Sequence, residues 1–479
     1  MHSPSSTSLS LSTSTVSAEI NLSYVWMIAF VAALGGLLFG YDWVVIGGAK
    51  PFYEPYFHLT TETQVGWANS CALIGCFAGS LVAGGLGDRY GRKPVLLASA
   101  VLFAASSILT GWAFTFTAFI LWRIAGGVAI GLSSNISPLY IAEVSPAAHR
   151  GRLVSLNQFA VVVGILLAQI VNWQIAAPVP PHLSPAALLA SWNVQSGWRW
   201  MFTAVAIPAI IFLAASFGIP ESPRWLLARG RGEHAEKVLR KIGGNPAYAA
   251  AEVAAIAKAL HEEGTRSTSW RGLLQPGVRT ALLVGIVLAV LQQWSGINIL
   301  FNYAEEVYRE AGLGANQILL DIVITGTINL LFTLLAMAVV DRLGRRPLML
   351  FGCCGIAVSH LLAGFAYRTG QHGTPVLVLT LCAIACYAMT LAPLTWVLIA
   401  EIFPNRLRSR GVSAAVSALW ISSFALTYSF PFINRTLGSS GTFFTYGTIC
   451  LAGAVFVLAF VPETNGRTLE EIEAQTMLG

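Results

Sequence analysis

The chain has 479 residues, of which 28 are Lys or Arg and 22 are Asp or Glu, so 10 % are charged while 55 % are hydrophobic. A soluble domain carries roughly 25 % charged residues, and in water this composition would expose far more apolar surface than a folded protein tolerates. The balance excludes a cytosolic enzyme, a nucleic-acid binder and a disordered chain, and it identifies a membrane protein.

In chain order, the first 21 residues are rich in Ser and Thr and contain no Lys or Arg. They lack the basic segment of a signal peptide, so 1–23 is expected to be a disordered tail. Twelve apolar runs follow, at 24–46, 66–86, 94–113, 117–140, 153–174, 200–219, 279–302, 319–340, 347–367, 375–399, 411–434 and 441–461. Each has the length needed to cross ~30 Å of hydrocarbon as a helix, and none shows the alternation of a barrel strand. Between the sixth and seventh runs, residues 224–278 are polar and predict short amphipathic surface helices. The seven cysteines lie within apolar runs and form no CxxC or Cys/His pattern, so they predict small apolar thiols and no metal site.

The basic residues orient these spans. The loops after the even-numbered spans, together with the C-terminal tail from 463 to 479, hold 22 of the 28. Lys50, Arg199, Arg309, Arg368 and Arg435 belong to the other side, and Arg123 falls inside a span. Basic loops stay in the cytoplasm, which places both termini and the central loop there. The net charge of +6 is then a consequence of topology rather than the footprint of an anionic partner such as nucleic acid.

Three signatures occur twice. GDRYGRKPVLL (87–97) is answered by VDRLGRRPLML (340–350), IAEVSPAAHRGR (141–152) by IAEIFPNRLRSR (399–410), and PESPRWL (220–226) by PETNGRTL (462–469). Nearly constant offsets divide twelve spans into six plus six, the pattern of a transporter with parallel halves and a site between them.

The two Asp-Arg-x-Gly-Arg loops resemble the hallmark of the major facilitator superfamily. The set PESPRWL, QQWSGIN and PETNGRTLEEIE is similar to that of its sugar porter branch, which includes bacterial proton–sugar symporters and animal glucose facilitators. The resemblance runs from about Tyr24 to Glu473. It implies an all-α integral membrane fold with two six-helix bundles, 24–223 and 279–462, and cytoplasmic helices between them.

A neutral polyol requires side chains that both donate and accept hydrogen bonds, with aromatic faces for its C–H surfaces. Gln158, Gln292, Gln293, Asn298 and Asn329 all sit in apolar spans. A single such amide usually joins helices, at ~1 kcal/mol or less, whereas five in so apolar a chain point to a shared polar cavity. On an unbroken helix Gln293 and Asn298 would lie about 140° apart. They can line one cavity only if the helix unwinds at Ser295-Gly296, where glycine permits the backbone angles. The resemblance implies that the same five amides are sugar ligands and that Phe39, Trp396 and Trp420 are aromatic walls. Trp396 follows Pro393 by three residues and is expected beside a kink. The sequence departs from the family at Leu419, Ile165 and Asn302-Tyr303, where relatives commonly carry an amide, an amide and a tyrosine pair.

Two charges lie within spans, Asp42 near the expected end of the first and Arg123 in the fourth. A charge in hydrocarbon costs at least ~2.5 kcal/mol, so the two are expected to pair. The plain alternative is a structural ion pair. The functional one is a proton site, since Asp can carry a proton and Arg cannot release one. The resemblance implies proton coupling where an acid stands at Asp42.

The remaining charges form a repeated cytoplasmic set: Asp88, Arg89, Arg92, Glu143 and Arg150, mirrored by Asp341, Arg342, Arg345, Glu401 and Arg408. If each helix continues through its motif, the seven-residue Glu-to-Arg spacing puts both charges on one face. Topology alone accounts for some of these arginines. The resemblance implies salt bridges that latch the halves when the protein opens outward, joined by Glu221, Arg224 and Glu463.

The leading expectation is a proton–monosaccharide symporter of the cell membrane, acting as a monomer without a cofactor, its partners being sugar, protons and lipid. The alternatives are a proton-independent uniporter, a polyol or cyclitol carrier, and a non-transporting sugar sensor. No GxxxxGK[ST] loop is present for nucleotide, and no catalytic grouping stands out.

Overall fold

The computed structural model describes residues 20–463, apart from 181–183, 265–269, 276–277, 313, 372 and 404–406. Every regular element among the described residues is helical. Five crossings come first: α1 (Leu22–Tyr56), α2 (Glu62–Tyr90), α3 (Arg92–Gly111), α4 (Phe116–Val144) and α5 (Arg150–Ile175). The sixth is assembled from α6 (Pro185–Leu189), α7 (Trp198–Thr203) and α8 (Ala206–Gly218). Short helices α9 (Pro223–Ala228), α10 (Gly232–Gly243) and α11 (Pro246–Gly264) occupy the polar central stretch. The seventh crossing is divided into α12 (Val278–Trp294), α13 (Ile297–Asn302) and α14 (Ala304–Glu310). Next are α15 (Ala315–Leu343), α16 (Arg345–Arg368), α17 (Thr374–Met389), α18 (Leu391–Glu401) and α19 (Arg408–Phe460).

Among the described residues eleven helical stretches are long and apolar enough to span a bilayer, one fewer than the twelve apolar runs. The difference lies in α19, whose 53 residues include Gly438 at φ 66° and ψ 173°. A straight helix of that length would measure about 80 Å, more than twice the hydrocarbon thickness. Gly438 folds it back, so α19 supplies both the eleventh and the twelfth crossing.

The duplicated motif is duplicated geometry. Gly91 ends α2 at φ 105° and ψ 163°, and Gly344 ends α15 at φ 85° and ψ 156°, a backbone region that only glycine enters without strain. Each turn then starts a helix whose first amides are met by a distant carboxylate. Glu221 accepts from the Arg92 and Lys93 N–H groups, the former at 2.9 Å, and Glu463 accepts from Arg345 and Arg346 at 3.0 and 3.1 Å. A carboxylate is favourable at a helix N-terminus because the orphaned N–H groups carry partial positive charge. A Cβ on Gly91 would sit 2.2 Å from a Glu221 oxygen. Gly91→Ala is therefore expected to cost about 1–3 kcal/mol, read as a lowered melting temperature in detergent; an unchanged midpoint would refute this account of the turn.

Helices α1 to α8 pack among themselves, chiefly α1 on α5 and α2 and α3 on α4, and the later ones likewise, chiefly α16 and α12 on α19. The two groups meet along α2–α19 and α5–α15. A shift of six crossings turns the second into the eighth and the fifth into the eleventh. These two seams are thus one contact made twice about a pseudo-twofold axis.

Candidate functional site

The seventh crossing breaks where the two amides require it. α12 ends at Trp294, Gly296 adopts φ 85°, and α13 begins at Ile297. The break turns Asn298 back towards α12, where its amide donates to the side-chain oxygen Oε1 of Gln293. Gln293 donates to Gln292 at 3.1 Å, and Gln292 reaches the Leu391 and Ala392 carbonyls of α18 at 3.4 and 3.2 Å. The three amides, each at most 7 % exposed, form one chain that runs from the seventh crossing to the backbone of the tenth. The tenth is itself interrupted, at Thr390 (φ −130°, ψ −86°), three residues before the Pro393 that predicted a kink.

Phe39 of α1 and Trp420 of α19 touch across the two groups of helices, with ring centroids 6.0 Å apart. Trp420 is buried and its indole N–H has no partner; a buried donor left open is what a ligand oxygen satisfies. Asn329 is buried on α15, whereas Gln158 on α5 and Trp396 on α18 are half-buried. Among the described residues these three make no side-chain bond to the amide chain. Leu419 and Ile165 are buried apolar side chains, so the family's two amides are replaced by hydrocarbon.

Asp42 lies at the middle of α1 rather than near its end, because the helix continues ten residues beyond the expected limit, through Pro51 to Tyr56. Its carboxylate accepts from Arg123 of α4 at 3.0 Å, and both side chains are at most 4 % exposed. Arg123 also lies 5.4 Å from the centre of the Phe202 ring. The second Asp42 oxygen, Oδ2, is buried without a partner. Asp42 and Arg123 form a buried ion pair in which one carboxylate oxygen is left without a partner.

A model of the family described as sugar (and other) transporter matches residues 28–475. The chain belongs to the sugar transporter family. The D-xylose-proton symporter of Escherichia coli (strain K12) is 38 % identical over 490 residues, covering 96 % of this chain and 97 % of that protein. The glucose transport protein of Synechocystis sp. is 38 % identical over 474 residues, covering 96 % and 99 %. The xylose transporter XylE from E. coli, in a partially occluded inward-open conformation, matches with a TM-score of 0.82 at 36 % identity, covering 93 % of this chain and 100 % of that one. The protein is thus a multi-pass membrane transporter of the major facilitator type and not an enzyme.

In this transporter the repeated charges bond within each half. Arg92 makes a two-pronged contact with Glu143, 2.9 Å on each arm, and a 3.1 Å bond to Asp88. Arg345 stands 3.9 Å from Glu401. Arg150 does not share a helical face with Glu143: Pro146 and a short 3-10 turn at 147–149 separate α4 from α5, and Arg150 donates to the Ala142 carbonyl instead. Arg408 donates to the Phe403 carbonyl at 3.5 Å. Arg89 lies against the Tyr90 ring and Arg342 is exposed; Arg224 is half-buried, and the Asp341 side chain lies outside the described residues. Burial pushes the Glu221 carboxyl above the usual carboxylate range, against the pull of the Ser222, Arg92 and Lys93 N–H groups.

Bonds between the halves cluster on the opposite face, and sequence reasoning missed them. Lys50 of α1, only 2 % exposed, pairs with Glu306 of α14 and with Glu54 at 2.9 Å, and it lies 5.3 Å from the centre of the Tyr303 ring. Arg435 pairs with Glu62 at 2.6 Å, and Gln169 meets Thr325 at 3.5 Å. The available signal was Lys50 itself, a cation at the end of an apolar run on the side that holds few.

Proposed function

We propose that the transporter imports a monosaccharide, hexose or pentose, by proton symport, with two six-helix units, 24–223 and 279–462, rocking about a site between them. Sugar is held by Gln158, Gln292, Gln293, Asn298 and Asn329 and walled by Phe39, Trp396 and Trp420, while Asp42 beside Arg123 carries the proton. The observation that carries this reading is the helix break at Ser295-Gly296, which gathers amides that a continuous helix would separate. The buried acid with one oxygen unpartnered adds the coupling site. Both termini and the central loop face the cytoplasm of the cell membrane, in keeping with the charge bias of the loops, and the transporter works as a monomer. Radiolabelled sugar uptake into proteoliposomes, with and without an inward proton gradient, tests the function: accumulation only with the gradient is expected, and uptake indifferent to it would leave a uniporter.

Alternating access then assigns opposite roles to the two charged faces. The Lys50–Glu306 and Arg435–Glu62 pairs hold the outer face shut, and the Arg92, Glu143, Arg345, Glu401 and Arg408 set re-pairs across the halves when the inner face closes. Removing one partner of a buried ion pair destabilises the state that buries it by about 3–5 kcal/mol. Lys50→Met is therefore expected to shift spin-label distances towards outward-open states, and Glu143→Gln or Arg408→Ala towards inward-open ones. Distance distributions that move the same way, or do not move, would remove the latches.

A further inference from the structure

The break in the seventh crossing leaves carbonyls without helical partners, and one of them has a specific donor from another helix. Helix ends orphan their last C=O groups. Here the Ser295 N–H still bonds the Leu291 carbonyl at 2.9 Å, and the Ser295 hydroxyl takes the Gln292 carbonyl at 2.9 Å. The Ser295 carbonyl, at the break itself, lies 2.9 Å from Nε2 of His360 on α16 and 3.7 Å from the Cys450 thiol. A carbonyl only accepts, so Nε2 of His360 carries the hydrogen. The imidazole is 1 % exposed, and its ring contacts Phe443 at 5.5 Å and Tyr446 at 6.3 Å. Tyr446 in turn covers Gly296, where an added Cβ would meet its ring at 2.8 Å.

We propose that His360 is a positioning residue for sugar binding: by pinning the Ser295 carbonyl, it fixes the angle at which α13 leaves α12 and so holds Asn298 against Gln293. A histidine in an otherwise apolar stretch of α16 is costly to bury, and no part of the amide chain or of the Asp42–Arg123 pair uses it. Its hydrogen bond falls on Ser295, next to the Gly296 turn and within the short segment between the two sugar-facing amides. The rings of Phe443 and Tyr446 flank the imidazole, and its Nδ1 is buried without a partner, so the Ser295 carbonyl is the polar contact that the ring makes among the described residues. The proposal rests on the sugar-site assignment above, and it makes the hinge, rather than the amides alone, a determinant of affinity.

The test compares His360→Met, which keeps bulk and removes the donor, with His360→Gln, whose amide can reach the same carbonyl. Loss of a bond to a buried carbonyl corresponds to about tenfold in an equilibrium. In His360→Met, amide hydrogen exchange across 295–302 is expected to accelerate about tenfold without change elsewhere in α15 or α16. Affinity for D-xylose or D-glucose, whichever the wild type binds by calorimetry, should fall by a similar factor. His360→Gln should restore both. Wild-type exchange and affinity in His360→Met would overturn the proposal, as would a His360→Gln variant as impaired as His360→Met, which would mark a packing role. Asn298→Ala run in parallel separates the two levels. If it leaves affinity intact the sugar site is misplaced, while the exchange measurement still decides whether His360 pins the hinge.

Discussion

Replacing Asn298 with Ala is expected to abolish measurable sugar binding while the protein stays folded and monodisperse. Asn298 ends the amide chain that continues through Gln293 and Gln292 to the backbone of α18. These amides bond one another, and because amides both donate and accept, the proposed sugar hydroxyls would exchange into the same bonds. Truncation removes two hydrogen-bonding groups from the ligand and leaves the Gln293 oxygen unpaired. Each lost bond is worth about 0.5–1.5 kcal/mol and an orphaned buried group about 1–3, so the combined loss is on the order of a hundredfold or more in affinity. Calorimetry measures it, and gel filtration and the melting temperature report the fold. Unchanged affinity, or a loss that tracks lowered stability, would make these amides ordinary helix contacts.

The second large effect concerns Asp42. Its pairing with Arg123 is almost wholly buried, and breaking such a pair by neutralising one partner typically costs 3–5 kcal/mol. If Asp42 carries the proton as proposed, neutralising it is expected to loosen α1 from α4 within the first half. Asp42→Asn imitates the protonated acid permanently. It is expected to eliminate uptake driven by a pH gradient, because the empty carrier cannot return through its charged form. Sugar-for-sugar exchange should persist, since exchange never needs that return. A mutant that still concentrates sugar against its gradient would take the proton role away from Asp42.

What the sequence determined by itself is what local physics governs. Twelve spans and their membrane setting follow from a bilayer's demand for about twenty apolar residues in a row, a property of each segment alone. The repeat was legible because both copies keep glycine where the turn needs a positive φ, and Gly91 and Gly344 meet that demand in both halves. The break at Ser295-Gly296 was legible for the same reason: two amides at fixed spacing and a glycine between them are a local geometric statement.

Tertiary structure alone decided which distant groups met. Lys50 and Glu306 are 256 residues apart and His360 and Ser295 are 65 apart, and no periodicity encodes such a meeting. Spacing also misled where the chain turned: Glu143 and Arg150 share no face because Pro146 ends the helix between them. In a bilayer the lipid drives each helix to form, while packing and hydrogen bonds choose its neighbours. The helices could therefore be read singly, but the contacts that hold one face shut and set the angle of the broken helix exist only between them.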